Sequence, residues 1–282
     1  MPELPEVETV VRELRARGLV GRTVLDVGVA WPRVLAGDTP RRFAGKLRGR
    51  RIESVGRRAK FILLTLSGGM HLAIHLRMTG QLHFAPRDLP RDPHETIWMV
   101  FGDGDELRFH DTRKFGVWKA AEALDALLPA LGPEPFDPAF TAKVFEKRLR
   151  GQRRAIKPLL LDQAFLAGVG NIYADESLWE ARLHPQLKAS GLTRAQAAAL
   201  YAAVRRVLAA GIANNGTSLG DGATNFARLD GHRGGNAPKL KVFRRDGQPC
   251  LRCGDTLLRI VVGQRGTHYC PRCQPPRPLG DA

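Results

Sequence analysis

The sequence predicts a multidomain α+β chain, with an N-terminal helix leading into a β-sandwich, a helical second unit and a C-terminal cysteine ribbon. Three observations carry that expectation. Short strand-like runs separated by turn residues fill the chain from Thr23 to Lys119, the pattern of an all-β sandwich or barrel. Gly132-Pro133-Glu134-Pro135 and Asp137-Pro138 then form a stiff linker that neither a helix nor a central strand accepts. All four cysteines lie near the end of the chain, as Cys250, Cys253, Cys270 and Cys273.

Taken in order, residues 4–17 carry apolar side chains at Leu4, Val7, Val10, Val11 and Leu14, with acids early and arginines late. That is an amphipathic helix whose charges suit its dipole, closed by Gly18. Strands are expected at 23–29, 51–55, 61–66, 71–76, 97–101, 106–110 and 115–119. Beyond the linker, helices are expected at 139–150, 158–163, 172–182 and 193–214, Pro158 being tolerated in a first turn. Residues 215–238, rich in Gly and Asn, are too long for a plain connector and suit a functional loop. The expected division is therefore 1–131, 132–237 and 238–276.

Composition narrows the partner. The net charge is +16, from 44 basic and 28 acidic residues, which favours a polyanion. No run approaches the roughly 18 apolar residues of a membrane span, and no basic amphipathic helix with a bulky apolar face stands out. The expectation is a soluble, cytoplasmic monomer that binds nucleic acid and no membrane.

The strongest local signal is Cys250-x2-Cys253-x16-Cys270-x2-Cys273. Two such knuckles close a tetrahedral four-thiolate site without an open position, so one structural Zn2+ is expected. Arg and Lys outnumber acids around it, which favours phosphate contact. The second signal is Gly168-Val169-Gly170-Asn171 ahead of a helix. Asn171 is expected to cap that helix, and the free N–H groups at its start can hold a phosphate. The nearby cluster Lys143, Lys147, Arg148, Arg150, Arg153, Arg154 and Lys157 points the same way.

The string Pro2-Glu3-Leu4-Pro5-Glu6-Val7-Glu8-Thr9 resembles the opening of bacterial formamidopyrimidine-DNA glycosylases. The resemblance runs on through Arg57-Arg58-Ala59-Lys60-Phe61, His75-Leu76-Arg77-Met78-Thr79-Gly80, Asp111-Thr112-Arg113-Lys114-Phe115-Gly116, Leu131 to Pro135, Gly168 to Glu176 and the cysteine ribbon. It implies a β-sandwich, a helix-two-turn-helix domain with a base-capping loop and a zinc finger, with damaged double-stranded DNA held between the halves. It also implies a glycosylase and lyase of base excision repair in the bacterial cytosol. Pro2, freed by loss of Met1, would be the nucleophile that forms a Schiff base with the sugar, and β- and δ-elimination would follow.

Elementary chemistry agrees with that role. An α-amine titrates near about 8 and a lysine near about 10.4, so a terminal amine is far richer in its nucleophilic form at neutral pH. By the same resemblance Glu3 is the acid-base carboxylate, Lys60 the acid of β-elimination and Arg265 the aid to δ-elimination. Met78, Arg113 and Phe115 would fill the gap left by an extruded base. His94, Arg153 and Asn171 would contact DNA, with Lys157 as an added contact. By strand alternation, however, Met78 shares a face with Leu72, Ile74 and Leu76, which would make it plain core. His71 with His75, and His110 with Asp111, are expected to be structural.

The sequence departs from the family pattern at Thr112, where proline is usual, at Lys114, where arginine is usual, and in Gly231-His232-Arg233-Gly234-Gly235-Asn236. Oxidised purines, 8-oxoguanine and formamidopyrimidines, are the expected lesions. The alternatives are an endonuclease VIII-like glycosylase for oxidised pyrimidines and a non-enzymatic zinc-ribbon nucleic-acid-binding protein.

Overall fold

A computed structural model describes residues 1–220 and 226–276. The expected loop therefore falls partly, at 221–225, outside the described residues. By packing, the chain divides into two compact units, Met1–Pro129 with Ile212–Ala237, and Ala130–Gly211 with the residues from Pro238 onward.

The first unit opens with α1 (Leu4–Ala16), which begins as its sequence dictates. Glu3 is the N-cap, Pro5 occupies the first turn, and Glu6 Oε2 accepts the Glu3 N–H at 2.8 Å, the return half of a capping box. Then come β1 (Val24–Val29), α2 (Pro40–Leu47), β2 (Ile52–Arg58), β3 (Phe61–Leu66), β4 (Met70–His75), β5 (Gln81–Pro86), β6 (Glu95–Phe101), β7 (Asp105–His110) and β8 (Val117–Ala121). They form two antiparallel four-stranded sheets, ordered β1-β6-β7-β5 and β2-β3-β4-β8. The expected β-sandwich is present, and its core runs from Val7 and Leu14 of α1 through Ile62, Leu64, Ile74, Met99, Phe109 and Trp118.

Two elements were not expected. α2 is short and polar, and its start signals are local: Thr39 caps it by accepting the Arg42 N–H at 3.3 Å, and Pro40 is its first residue. β5 is an edge strand burying Leu82 and Ala85, too little apolar surface to announce itself.

The second unit contains α3 (Ala142–Arg150), α4 (Ile156–Leu161), α5 (Asn171–Glu180), most of α6 (Arg194–Ala213) and the hairpin β9 (Leu258–Val262) with β10 (Arg265–Tyr269). Pro158 is the third residue of α4, where its missing N–H would have had no partner within the helix. The ribbon does not stand apart from the helices, because Trp179 of α5 packs with Val242, Cys250, Leu257 and Cys270.

Composition places a boundary near residue 237, whereas packing groups 212–237 with the sandwich. Phe226 and Leu229 are buried in the sandwich core, and the Thr217 N–H donates to Glu6 at 2.7 Å. No described helix is long and apolar enough to cross a membrane.

Candidate active site and nucleic-acid interface

In the first unit, Pro2 and Glu3 are buried at the start of α1. Lys60 lies on the two-residue turn between β2 and β3, where Arg58 pairs with Phe61. Ala59 takes a left-handed conformation there (φ +53°), one an L-residue adopts at a cost of about 1 kcal/mol. The cost is borne by a braced hairpin. Arg57 Nε donates to Glu8 Oε2 of α1 at 3.1 Å while its Nη1 donates to the Ala59 carbonyl at 2.9 Å, and Arg15 Nε donates to the Val55 carbonyl at 2.7 Å. These contacts tie β2 and the Lys60 turn to the helix that carries Pro2 and Glu3. Lys60 itself is buried.

His75 sits opposite Phe61 in the register of β3 and β4, and the two rings meet edge to face at 4.6 Å. Burial, with help from Arg77 and Lys60, pushes its pKa down to about 3. It is therefore neutral, and its Nδ1 accepts the Arg77 N–H at 3.0 Å. Its structural role follows from that bond. Arg77 in turn has a φ of +56°, which ends the strand alternation after Leu76. Met78 is thereby released from the core face and is 37% exposed.

Asp111 organises the surface around Met78. Its buried carboxylate accepts from the Thr79 hydroxyl, from the Gly116 N–H at 2.7 Å and from the Arg113 N–H at 3.3 Å. Its own N–H donates to the His94 carbonyl at 2.9 Å. One carboxylate thus gathers the turns bearing Met78, His94, Arg113 and Phe115, all four of which are exposed. The Arg113 guanidinium lies 4.8 Å from the centre of the Phe115 ring, so a cation and an apolar ring are presented side by side. Asp111 was expected to be structural, but its part in assembling this surface was not legible, since Thr79 is distant from it in sequence. The Thr112 hydroxyl is buried without a partner.

In the second unit the expected contacts separate. Arg153 is exposed, as are Lys143 and Lys147. Arg148 is committed to the Ala164 and Phe165 carbonyls, Arg150 to Glu146 and Arg154 to Asp162. Lys157 is a correction. It is fully buried, with Nζ 2.7 Å from Asp175 Oδ1, 2.7 Å from Thr267 Oγ1 and 3.0 Å from the Gly266 carbonyl. An ammonium has three donors, and all three are used inside the protein. Lys157 therefore offers no solvent-exposed donor to DNA.

The expected capping role of Asn171 is a correction too. Gly170 is the N-cap of α5, and Asn171 Nδ2 instead donates to the Gly266 carbonyl at 3.1 Å. Asp175 Oδ2 accepts the His268 N–H at 2.9 Å. Lys157, Asn171 and Asp175 thus hold the start of β10, whose first residue is the exposed Arg265. The turn before it, Gly263-Gln264, has φ of +56° and +61°, the two left-handed residues of a type I′ hairpin.

The cysteine thiols lie within 4.8 Å of one another, close enough to converge on one tetrahedral metal ion, and four sulfur donors suit zinc. Backbone N–H groups of Arg252 and Cys273 point at Cys250 and Cys270, and the Trp179 indole N–H donates to Cys250 Sγ at 3.4 Å. Burial alone would raise Cys250, but the N–H groups of Arg252, Trp179 and Cys253 outweigh it and bring its pKa down to about 6. Arg252 stacks on Trp179 at 3.9 Å. Glu176 docks the ribbon's approach by accepting the N–H groups of Lys241, Val242 and Phe243.

Three family descriptions cover most of the chain: the formamidopyrimidine-DNA glycosylase N-terminal domain over residues 1–118, its H2TH domain over 131–222, and the zinc finger found in FPG and IleRS over 247–276. The formamidopyrimidine-DNA glycosylase of Protochlamydia amoebophila is 44% identical, covering 97% of this chain and 99% of its own length. That of Chloroflexus aggregans is 49% identical over 97% and 98%. The chain belongs to the formamidopyrimidine-DNA glycosylase family. Its fold is shared with a Lactococcus lactis member of that family solved in complex with DNA containing an abasic site (TM-score 0.88, 34% identity, 97% of this chain and 99% of that one). A mutant of the same glycosylase solved with Fapy-dG DNA superposes equally well (TM-score 0.89, 35% identity, 97% and 100%).

Proposed function

We propose that the chain is a bifunctional DNA glycosylase and lyase of base excision repair that removes 8-oxoguanine and formamidopyrimidines from damaged duplex DNA. The observation that carries this reading is the tying of the Lys60 hairpin, through Arg57, Glu8 and Ala59, to the helix whose start follows Pro2 and Glu3.

In this mechanism the Pro2 amine, freed by loss of Met1, attacks the sugar C1′. The C1′–N bond breaks, its electron pair leaves with the base, and Glu3 handles the protons. The nitrogen then gives up its proton, and the electron pair this leaves forms the C=N bond of an iminium as the C1′–O4′ bond breaks. The sugar ring opens, O4′ takes up a proton, and the iminium acidifies the sugar C2′–H. Loss of that proton expels the 3′ phosphate in β-elimination, with Lys60 supplying the proton, and Arg265 assists the δ-elimination that follows. Met78, Arg113 and Phe115 occupy the space of the extruded nucleotide, and His94, Arg153 and Asn171 contact the DNA. One Zn2+ would be held by Cys250, Cys253, Cys270 and Cys273, and it would be structural, since four protein ligands leave no position for water and the ion would cross-link the ribbon.

The Fapy-dG DNA in a Lactococcus complex supports oxidised purines over oxidised pyrimidines as substrates. Borohydride trapping with duplexes carrying 8-oxoguanine, thymine glycol or an abasic site tests the reading. Protein whose Met1 removal is verified by mass is expected to trap on 8-oxoguanine and abasic duplexes, and a residual N-terminal tag is expected to abolish trapping while leaving salt-sensitive binding. Absence of any covalent complex sinks the enzymatic reading, and normal excision by tagged protein removes Pro2 as the nucleophile.

A further inference from the structure

Residues 216–220 and 226–236 are fastened to one face of α1 at two points. In the first stretch the Thr217 N–H donates to Glu6 Oε1 at 2.7 Å, while the other Glu6 oxygen accepts the Glu3 N–H. Further along, the Leu229 N–H donates to Glu13 Oε2 at 2.9 Å and Arg228 Nε donates to Glu13 Oε1. Residues 6 and 13 lie seven apart, close to two turns, so both carboxylates share a face about 10 Å apart along the axis.

These two stretches are also joined to each other. Thr217 bridges Gly235, the Gly234 N–H donates to Ser218 Oγ at 2.8 Å, and Asn236 Nδ2 donates to Thr217 Oγ1 at 2.9 Å. Phe226 and Leu229 are buried in the sandwich core. Gly216, at φ +78°, permits the close approach, since a Cβ there would stand 2.9 Å from the Phe226 ring and 3.1 Å from Glu6 Cγ. Arg228 makes a second ion pair with Asp230 at 3.2 Å. Glu13 therefore anchors a braced turn, Arg228 to His232, and the chemistry described above does not use it.

We propose that Glu13 is a positioning residue for recognition of the damaged base. It fixes residues 226–236 against the helix that begins beside Pro2, so that the nucleophile and this segment move as one body. The inference rests on the proposed glycosylase reading, and on the Glu6 carboxylate that joins Thr217 to the Glu3 N–H beside Pro2. Steps that need the base held in place depend on the clamp. Steps after the base has left do not.

The test compares single-turnover excision from an 8-oxoguanine duplex with cleavage of a duplex carrying a preformed abasic site, using the full chain as wild type, Glu13→Ala and Glu13→Gln. Glu13→Ala is expected to slow excision about tenfold, as loosened positioning does, with abasic-site cleavage within about twofold. Glu13→Gln keeps an acceptor for the Leu229 N–H and loses the ion pair, so it falls between and guards against a folding defect in the alanine variant. An equal loss on both duplexes, a larger loss on the abasic duplex, or no change on either overturns the proposal. Inactivity of the wild type on both duplexes overturns the glycosylase reading instead.

Discussion

Two hairpin turns, one in each unit, present the cationic residues Lys60 and Arg265, and they are built in opposite ways. The β2–β3 turn buries its lysine and uses Ala59 in a left-handed conformation, held by the partly exposed pair Arg57–Glu8. The β9–β10 turn exposes its arginine, places the left-handed Gln264 after Gly263, and is held from beneath by Lys157–Asp175, an ion pair with no solvent access. The bracing charge is thus buried under the exposed cation and near the surface beside the buried one. In both hairpins a second charged residue, not the presented one, bears the positional load.

The sharpest way to break this contrast is Lys157→Met. Removing one partner of a buried pair leaves Asp175 uncompensated at a cost of about 3–5 kcal/mol, so the melting temperature is expected to fall by several degrees or more, with δ-elimination lost ahead of β-elimination as Arg265 loses its support. A variant that melts like the wild type would show that Asp175 does not depend on Lys157.

A smaller effect is expected from His75→Gln, at the base of the first hairpin. The folded-state pKa of His75 lies near 3, below the ordinary 6.5, so between those values the unfolded chain binds the extra proton and stability falls as the pH falls. The glutamine variant removes that contribution, and its stability between pH 6.5 and 3 is expected to decline less steeply than that of the wild type. Parallel pH profiles would mean that His75 is protonated in the folded chain.

Arg57→Gln ranks third. Its pair with Glu8 is partly exposed, so the stability cost is expected to be about 1 kcal/mol, while the freed Ala59–Lys60 turn slows β-elimination at a preformed abasic site. Denaturant melts and single-turnover cleavage measure the two separately, and an unchanged cleavage rate would show that the turn holds its shape without Arg57. The smallest effect is expected from Thr112→Val, outside both hairpins. Its hydroxyl is buried without a partner, so melting should shift by no more than about 0.5 kcal/mol in either direction. A large loss would reveal a bond to that hydroxyl.

Much of this architecture was written locally. The α1 start is encoded in Glu3, Pro5 and Glu6, the strands in alternation, the metal site in two Cys-x2-Cys pairs, and the I′ turn in a Gly-containing pair. Each of these signals depends on residues a few positions apart, and such patterns survive without knowledge of the fold. The resemblance to the glycosylase family likewise rested on short strings in order.

What the sequence could not determine was where each charge would end. Lys157 belongs to a basic cluster by composition, yet Asp175, Gly266 and Thr267 consume its three donors, and those partners come from a different helix and from the ribbon. Met78 follows the core alternation until the left-handed Arg77 breaks it. Residues 212–237 follow the helical region in the chain, but Glu6 and Glu13 fasten Thr217, Arg228 and Leu229 to α1. Burial and pairing are properties of surfaces brought together over long sequence separations, so only the tertiary structure decided which cations are left for DNA and which hold the protein in shape.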